Sequence, residues 1–206
     1  MNRNLGILLS GRGSNFQAIA KAIGEGRLDA RLAVVISNKP EAPGLDIARS
    51  LGVAAVAIPS KGMDRESHDR LLIAELRSRD VGLVCLAGYM RLLSAGFIRA
   101  FPNRVLNIHP SLLPAFPGLD AQHQAWEYGV KLAGCTVHIV DEHLDHGPIV
   151  AQAAVDALPG DSSETLAARI LAEEHKIYSE AIGLILSGQW RMEGRRVIPT
   201  QEGEET

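Results

Sequence analysis

The chain has 206 residues, 46% of them hydrophobic and 22% charged, with a formal net charge of −3 at pH 7. That length fits one large domain or two small ones with a real core, and the composition is ordinary for a globular protein. The sequence pI near 6.2 leaves no basic excess of the kind that marks nucleic-acid binders.

Its two cysteines, Cys85 and Cys135, both lie in apolar runs, LVCLAG and LAGCTVHIV. Two buried free thiols in a reducing compartment are expected. The N-terminal apolar run LGILL is too short for a signal-peptide core or a membrane span. A cytoplasmic protein without membrane contact is the expectation.

The first half alternates short β-rich runs with helical patterns. Residues 5–10 read as a buried strand. Residues 14–26 read as a helix, with Phe16, Ile19, Ala20 and Ile23 at helical spacing and Gly24 and Gly26 near its end. A strand follows at 31–37, then a helix at 42–52 with Pro43 near its start and Gly52 after it. The run AAVAI is a strand, 64–80 a helix and 81–88 a strand. Strands without polar alternation, each followed by a helix, imply a parallel sheet covered on both faces. The fold class is therefore α/β, a doubly wound and mostly parallel sheet. Ligands of such sheets sit beyond the carboxyl ends of the strands, which draws attention to SGRGSN, SNKP, AGYMR and NIHPS.

Past residue 110 the pattern changes. KLAGCTVHIVDE and GPIVAQAAV read as two strands joined by a charged loop, an antiparallel extension of the sheet. A long helix is predicted over 162–187, with Asp161 and Glu164 as its capping start. The tail RRVIPTQEGEET ends in polar residues and is expected to be loose. With no repeat and no linker, one continuous domain over 1–206 is expected. Its half up to about residue 105 would bind a mononucleotide phosphate, and the remainder would complete the catalytic site.

Four features carry chemistry. SGRGSN (10–15) ends a strand, turns on two glycines and opens a helix. It reads either as a plain βα turn or as an anion cradle made of the helix's free N–H groups. Phe16 occupies the third glycine position of a dinucleotide fingerprint, and no Gly-Lys-Ser/Thr follows, so neither standard nucleotide motif applies. In NIHPSLLPAFPG (107–118), Asn107 and His109 are two apart on a strand and point the same way. They read either as a hydrogen-bonded turn anchor or as an amide and imidazole held together for catalysis. The prolines that follow fix φ and stiffen the wall behind them.

The loop DEHLDHGP (141–148) holds three acids and two histidines. His143 and His146 suggest a metal, but no second cysteine or histidine pair has matching spacing, so no metal is expected. Asp145 sits where the chain turns back and would reach His109, favouring its cationic form. In the long helix, Ala167, Ile170, Leu171, Ile177, Tyr178, Ala181 and Ile185 fall within about 60° of Glu174 at ~100° per residue. A carboxylate in an apolar face needs a partner; a buried arginine and a ligand are equal readings. There is no G-x-S-x-G elbow, and neither cysteine has an adjacent histidine. An Asn–His–Asp set without a nucleophile suits a reaction whose substrate brings its own, such as amine attack on an acyl carbon. Asn107 would then stabilise the oxyanion and His109 act as general acid.

NIHPSLLPAFPG, LDHGPIV (144–150) and SGRGSN together closely resemble the glycinamide ribonucleotide formyltransferase family, part of the wider formyltransferase superfamily, from Leu5 to about Trp190. The resemblance implies a Rossmann-like formyltransferase fold. It also implies transfer of a formyl group from the co-substrate 10-formyltetrahydrofolate to glycinamide ribonucleotide in purine synthesis, by a monomer or weak homodimer. Carried over by motif, Asn107, His109 and Asp145 would be catalytic. Gly13, Ser14 and Asn15 would hold the phosphate, and Glu174 would touch the ribonucleotide. Arg65, Met90, Arg91, Leu92, Leu93, Asn107, Val140, Asp141 and Leu144 would hold the folate. Thr136 and His138 match the family's T-x-H strand. Leu171 and Gln122 depart from the pattern, standing where a polar residue and a histidine are expected. Formyltetrahydrofolate hydrolase, methionyl-tRNA formyltransferase and a non-catalytic mononucleotide-binding module are the competing readings. The first two would carry an extra regulatory or RNA-binding domain.

Overall fold

The computed structural model describes residues 2–200 and divides into two compact units, residues 1–107 and 108–206. In the first, β1 (Asn4–Leu9), β2 (Arg31–Ser37), β3 (Ala55–Ala57), β4 (Leu83–Leu86) and β5 (Val105–His109) alternate with α1 (Ser14–Gly24), α2 (Pro43–Ser50), α3 (Arg65–Ser78) and α4 (Ala95–Ala100). The strands run in the order β3-β2-β1-β4-β5, and every pairing is parallel. β1 is the middle strand, with Ile7 opposite Val35 on one side and Cys85 on the other. Leu5, Ile7, Leu8 and Leu9 are fully buried, as a strand covered on both faces requires. Each such side chain contributes roughly 1.5–3 kcal/mol to the core. Chain order reverses between β1 and β4, and that reversal opens a crevice at their carboxyl ends.

The boundary between the units falls inside β5. The second unit contains α5 (Ala121–Tyr128), β6 (Leu132–Ile139), β7 (Ile149–Asp156), α6 (Ser163–Ser187), β8 (Trp190–Glu193) and β9 (Arg196–Pro199). β6 and β7 pair antiparallel, β7 pairs parallel with β9, and β8 and β9 form an antiparallel hairpin. The apolar face of α6 is buried through Leu166, Ile170, Ile177, Tyr178, Ala181, Ile182 and Ile185. The mostly parallel sheet with a C-terminal antiparallel part agrees with the expectation from sequence.

Two local expectations need correction. The N-cap of α6 is Ser162, which forms a reciprocal capping box with Thr165. Asp161 does not cap; it accepts two hydrogen bonds from Arg169, which holds its carboxyl well below the usual range. The expected loose tail contains β9, paired with β8, so residues 196–199 are ordered by a hairpin. The rest of that tail, residues 201–206, lies outside the described residues. Helices α4 and α5 were not anticipated. Among the described residues, no helix is long and apolar enough to cross a membrane.

Candidate active site

In the first unit, the turns after β1 and β4 meet at the crevice. Ser10 ends β1, and its hydroxyl donates to Asn38 Oδ1 at 2.6 Å while accepting from Met90 N at 2.8 Å. Ser10 N donates to Gly88 O at 3.0 Å, and Asn38 Nδ2 donates to Ser60 Oγ at 3.2 Å. One buried hydroxyl thereby ties together the ends of three strands. Gly13 caps α1 in the left-handed region at φ 69°, and a Cβ there would meet Leu9 Cδ2 at 2.9 Å. Only glycine takes that turn without strain. No side chain caps α1, which opens with Ser14 and the buried Asn15; a helix start carries partial positive charge.

The turn after β4 presents Met90 and Leu92, which are 63% and 49% exposed. Arg91 is held beside them: its guanidinium donates to Met63 O at 3.0 Å. Arg65 lies exposed in the first turn of α3, and Leu93 is half-buried. Beneath this turn is a polar pair that the sequence reading missed. His68 and Asp69 are buried on α3. His68 Nε2 pairs with Ile58 O at 2.8 Å, and Asp69 accepts from Ser94 N at 2.6 Å. Burial, then the Asp69 charge, push the neighbouring Tyr89 hydroxyl above its ordinary range, with Arg91 opposing. The signal was present, since His68 is spaced i,i+4 and i,i+8 from the buried Leu72 and Leu76.

In the second unit, His109 is 4% exposed at the end of β5. Its Nε2 lies 2.9 Å from Phe116 O, and its Nδ1 lies 3.4 Å from Asp145 Oδ2. A carbonyl and a carboxylate only accept, so both ring nitrogens face acceptors. Asp145 is positioned by three features. It accepts from Gly118 N at 2.8 Å, its Oδ1 lies 3.8 Å from His138 Nε2, and it adopts a left-handed φ of 47°. That conformation is one aspartate tolerates better than most residues. The loop returns to β7 through Gly147, where a Cβ would stand against Ile139 O. Burial first of all lowers the pKa of His138 and keeps it neutral, with Asp145 acting in the opposite sense.

The proline-rich segment after His109 is fastened from below. Thr136 Oγ1 accepts from Leu113 N at 3.0 Å and donates to Ser111 O at 2.7 Å. Gln152 donates to both Leu113 O and Thr136 Oγ1. The sequence reading saw Thr136 only as part of a family pattern and missed Gln152, Ser111 and the backbone groups of Phe116 and Gly118. Backbone partners leave no residue-type signal. Glu174 is 5% exposed on α6. Burial, with the charges of Glu174 and Glu173, pushes the Cys135 thiol up to about 12, so it is no nucleophile at neutral pH. Val140 and Asp141 are half-buried and Leu144 is exposed in the β6–β7 loop. Burial opposes ionisation of Asp141, but hydrogen bonds from His146 and His143 N outweigh it and hold the carboxyl below its usual range.

The structure therefore brings His109 and Asp145 together, and it places Asn107 two residues before His109 on the same strand. Known proteins bear on what this geometry serves. A glycinamide ribonucleotide transformylase 1 from Symbiobacterium toebii, solved by crystallography, is 53% identical and superimposes with a TM-score of 0.94, covering 97% of this chain and 95% of its own. The phosphoribosylglycinamide formyltransferase of Bacillus subtilis is 41% identical over 185 residues, 89% of this chain and 95% of that protein. The trifunctional purine biosynthetic protein adenosine-3 of Drosophila pseudoobscura pseudoobscura is 45% identical over 192 residues, but the chain spans only 14% of its length. The sequence model of the family described as formyl transferase matches residues 3–182, and the chain belongs to that family.

Proposed function

We propose that this enzyme transfers the formyl group of 10-formyltetrahydrofolate to the amine of glycinamide ribonucleotide, a step of purine synthesis. The observation that carries the reading is the buried His109–Asp145 pair, 3.4 Å apart at a strand's carboxyl end and supported by Gly118 N and Phe116 O. The relatives' names supply the ribonucleotide and the formyl transfer, and the family resemblance supplies the folate donor. The reaction breaks the bond from the formyl carbon to folate N10 and forms a bond from that carbon to the substrate amine. The amine loses a proton and N10 gains one. A tetrahedral oxyanion lies between these states, and a hydrogen-bond donor is needed where its charge develops.

The Asn107 carboxamide is that donor. His109 Nε2 exchanges the Phe116 carbonyl for the substrate and donates to the oxyanion or the leaving nitrogen, while Asp145 stays on Nδ1 and stabilises the imidazolium. A positioned general acid of this kind contributes ~10²–10⁴-fold. Gly13, Ser14 and Asn15 hold the phosphate at the start of α1, and Glu174 contacts the ribonucleotide. Arg65, Met90, Arg91, Leu92, Leu93, Asn107, Val140, Asp141 and Leu144 hold the folate. The exposed apolar side chains Met90, Leu92 and Leu144 suit a flat, largely apolar ring. The same reading places the reaction in the cytoplasm, with a monomer or weak homodimer as the working unit.

The test supplies 10-formyltetrahydrofolate with and without glycinamide ribonucleotide and follows the folate product. Product that forms only with the ribonucleotide supports transfer. Product without it means hydrolysis, and none in either case leaves a binding module; both outcomes contradict the proposal.

A further inference from the structure

The β6–β7 loop carries a second cluster, which excludes the His109–Asp145 pair and shares only Asp141 with the proposed folate contacts. Asp141, His143 and His146 each offer one ligand atom, and those atoms all lie within 4.8 Å of one another. Asp141 Oδ2 and His146 Nδ1 are 2.8 Å apart, and the His143 and His146 rings stand 5.2 Å apart between centroids. The loop geometry itself assembles the set, because His143 N donates to Asp141 Oδ1 at 2.9 Å and turns the histidine back over the carboxylate. The sequence spacing discouraged a metal because it offered a single histidine pair. The third ligand is the aspartate two residues before that pair, which the fold curls onto the same side.

We propose that Asp141, His143 and His146 form a three-ligand site for a late first-row divalent cation, Zn²⁺ above all, with its remaining positions filled by water. Two imidazoles and one carboxylate favour zinc, cobalt or nickel over magnesium or calcium, which take oxygen ligands. Zinc–nitrogen and zinc–oxygen bonds of ~2.0–2.2 Å put tetrahedral ligand atoms about 3.3 Å apart. The cluster thus needs only side-chain rotations, and both histidines are exposed and able to make them.

One group opposes the cation. Arg195, on the turn between β8 and β9, places Nη1 at 3.2 and 3.1 Å from the two ring nitrogens of His146, and its Nη2 donates to His146 O. Its guanidinium lies against the His146 ring as a built-in competitor, and metal entry displaces it. Asp145 lies between His143 and His146 in sequence, so a bound cation also stiffens the segment that carries it.

The opposing roles give the test its power. The untagged full chain, stripped with chelator, is titrated with CoCl₂ while its visible ligand-field absorption is followed, and with ZnCl₂ by calorimetry. One ion per chain is expected. Asp141→Asn, His143→Gln and His146→Gln are each expected to weaken binding at least ~10-fold, the scale on which even outer-shell partners act. Arg195→Gln is expected to tighten it. Both histidines and Arg195 are exposed, so these variants retain the fold, and circular dichroism checks that they do. A cobalt spectrum indifferent to the two histidine variants overturns the assignment. So does a zinc affinity that Arg195→Gln leaves unchanged or weakens, which would make Arg195 the loop's own structural partner.

Discussion

The two regions that flank β5 build polar sites in opposite ways. The turns after β1 and β4 use backbone groups, glycines and one small hydroxyl. Ser10 joins Asn38 to Met90 N, and Gly13 bends the chain into the start of α1. The end of β5 and the β6–β7 loop instead use ionisable side chains from distant parts of the sequence, with His109 and Asp145 facing each other out of solvent. Backbone donors fixed by a parallel sheet suit the holding of a charge that does not change. A titratable pair in a buried place suits the movement of one. The contrast predicts that substitutions in the first region alter affinity and those in the second alter rate.

The largest effect is expected from Asp145→Asn. The amide keeps an oxygen for Gly118 N but no longer stabilises an imidazolium on His109. Steady-state kinetics should show kcat falling by ~10² or more, the general-acid scale, with KM for both substrates little changed. A matching rise in KM would break the division between the regions. Gly13→Val tests the other side. At φ 69° and 2.9 Å from Leu9, the side chain adds about 1–2 kcal/mol of backbone strain and displaces the start of α1. The expectation is a raised KM for the phosphate-bearing substrate and a lower Tm by calorimetry.

A smaller change is expected for Ser10→Ala, which leaves Met90 N without its acceptor and Asn38 Oδ1 without the Ser10 donor. Each buried partner left unsatisfied costs about 1–3 kcal/mol. Denaturant melts should register this, and KM for the folate should rise more than kcat falls.

The smallest expected effect concerns acid. Burial lowers the pKa of His138, with Asp145 partly offsetting it, and burial likewise lowers that of His175. Because the unfolded chain then binds more protons than the folded one below the ordinary histidine value near 6.5, stability is present above that pH and declines as pH falls through it. Urea midpoints at pH 7.5 and 5.5 should show the decline, and His175→Gln should lessen it. No change in slope would remove His175 from the balance.

Much of the first region was legible because its determinants are local. The run RLAVVIS forms β2 with the bounds read from sequence, and SGRGSN opens α1 at Ser14 as its composition implies. Residue types alone marked Asn107, His109 and Asp145. What escaped depends on distance or on backbone. His68 and Asp69 are the exception: their helix is rich in charge, and the spacing of His68 to Leu72 and Leu76 is a local sign of its buried face. The clamp from Gln152 through Thr136 to the segment at Leu113 spans two strands and a loop. The β8–β9 hairpin escaped because its strands are short and half-exposed, so their pattern resembles a polar tail. Asp141 was read as a folate contact, and its place beside two histidines became visible only once the loop was folded.

The central claim is that an imidazole held by a buried carboxylate performs the chemical step, and single-turnover formyl transfer by His109→Ala tests it most directly. With enzyme in excess and both substrates bound, the account predicts a first-order transfer rate at least ~10²-fold below that of the unaltered chain, with substrate dissociation constants unchanged. A transfer rate within a few-fold of the unaltered enzyme would contradict it.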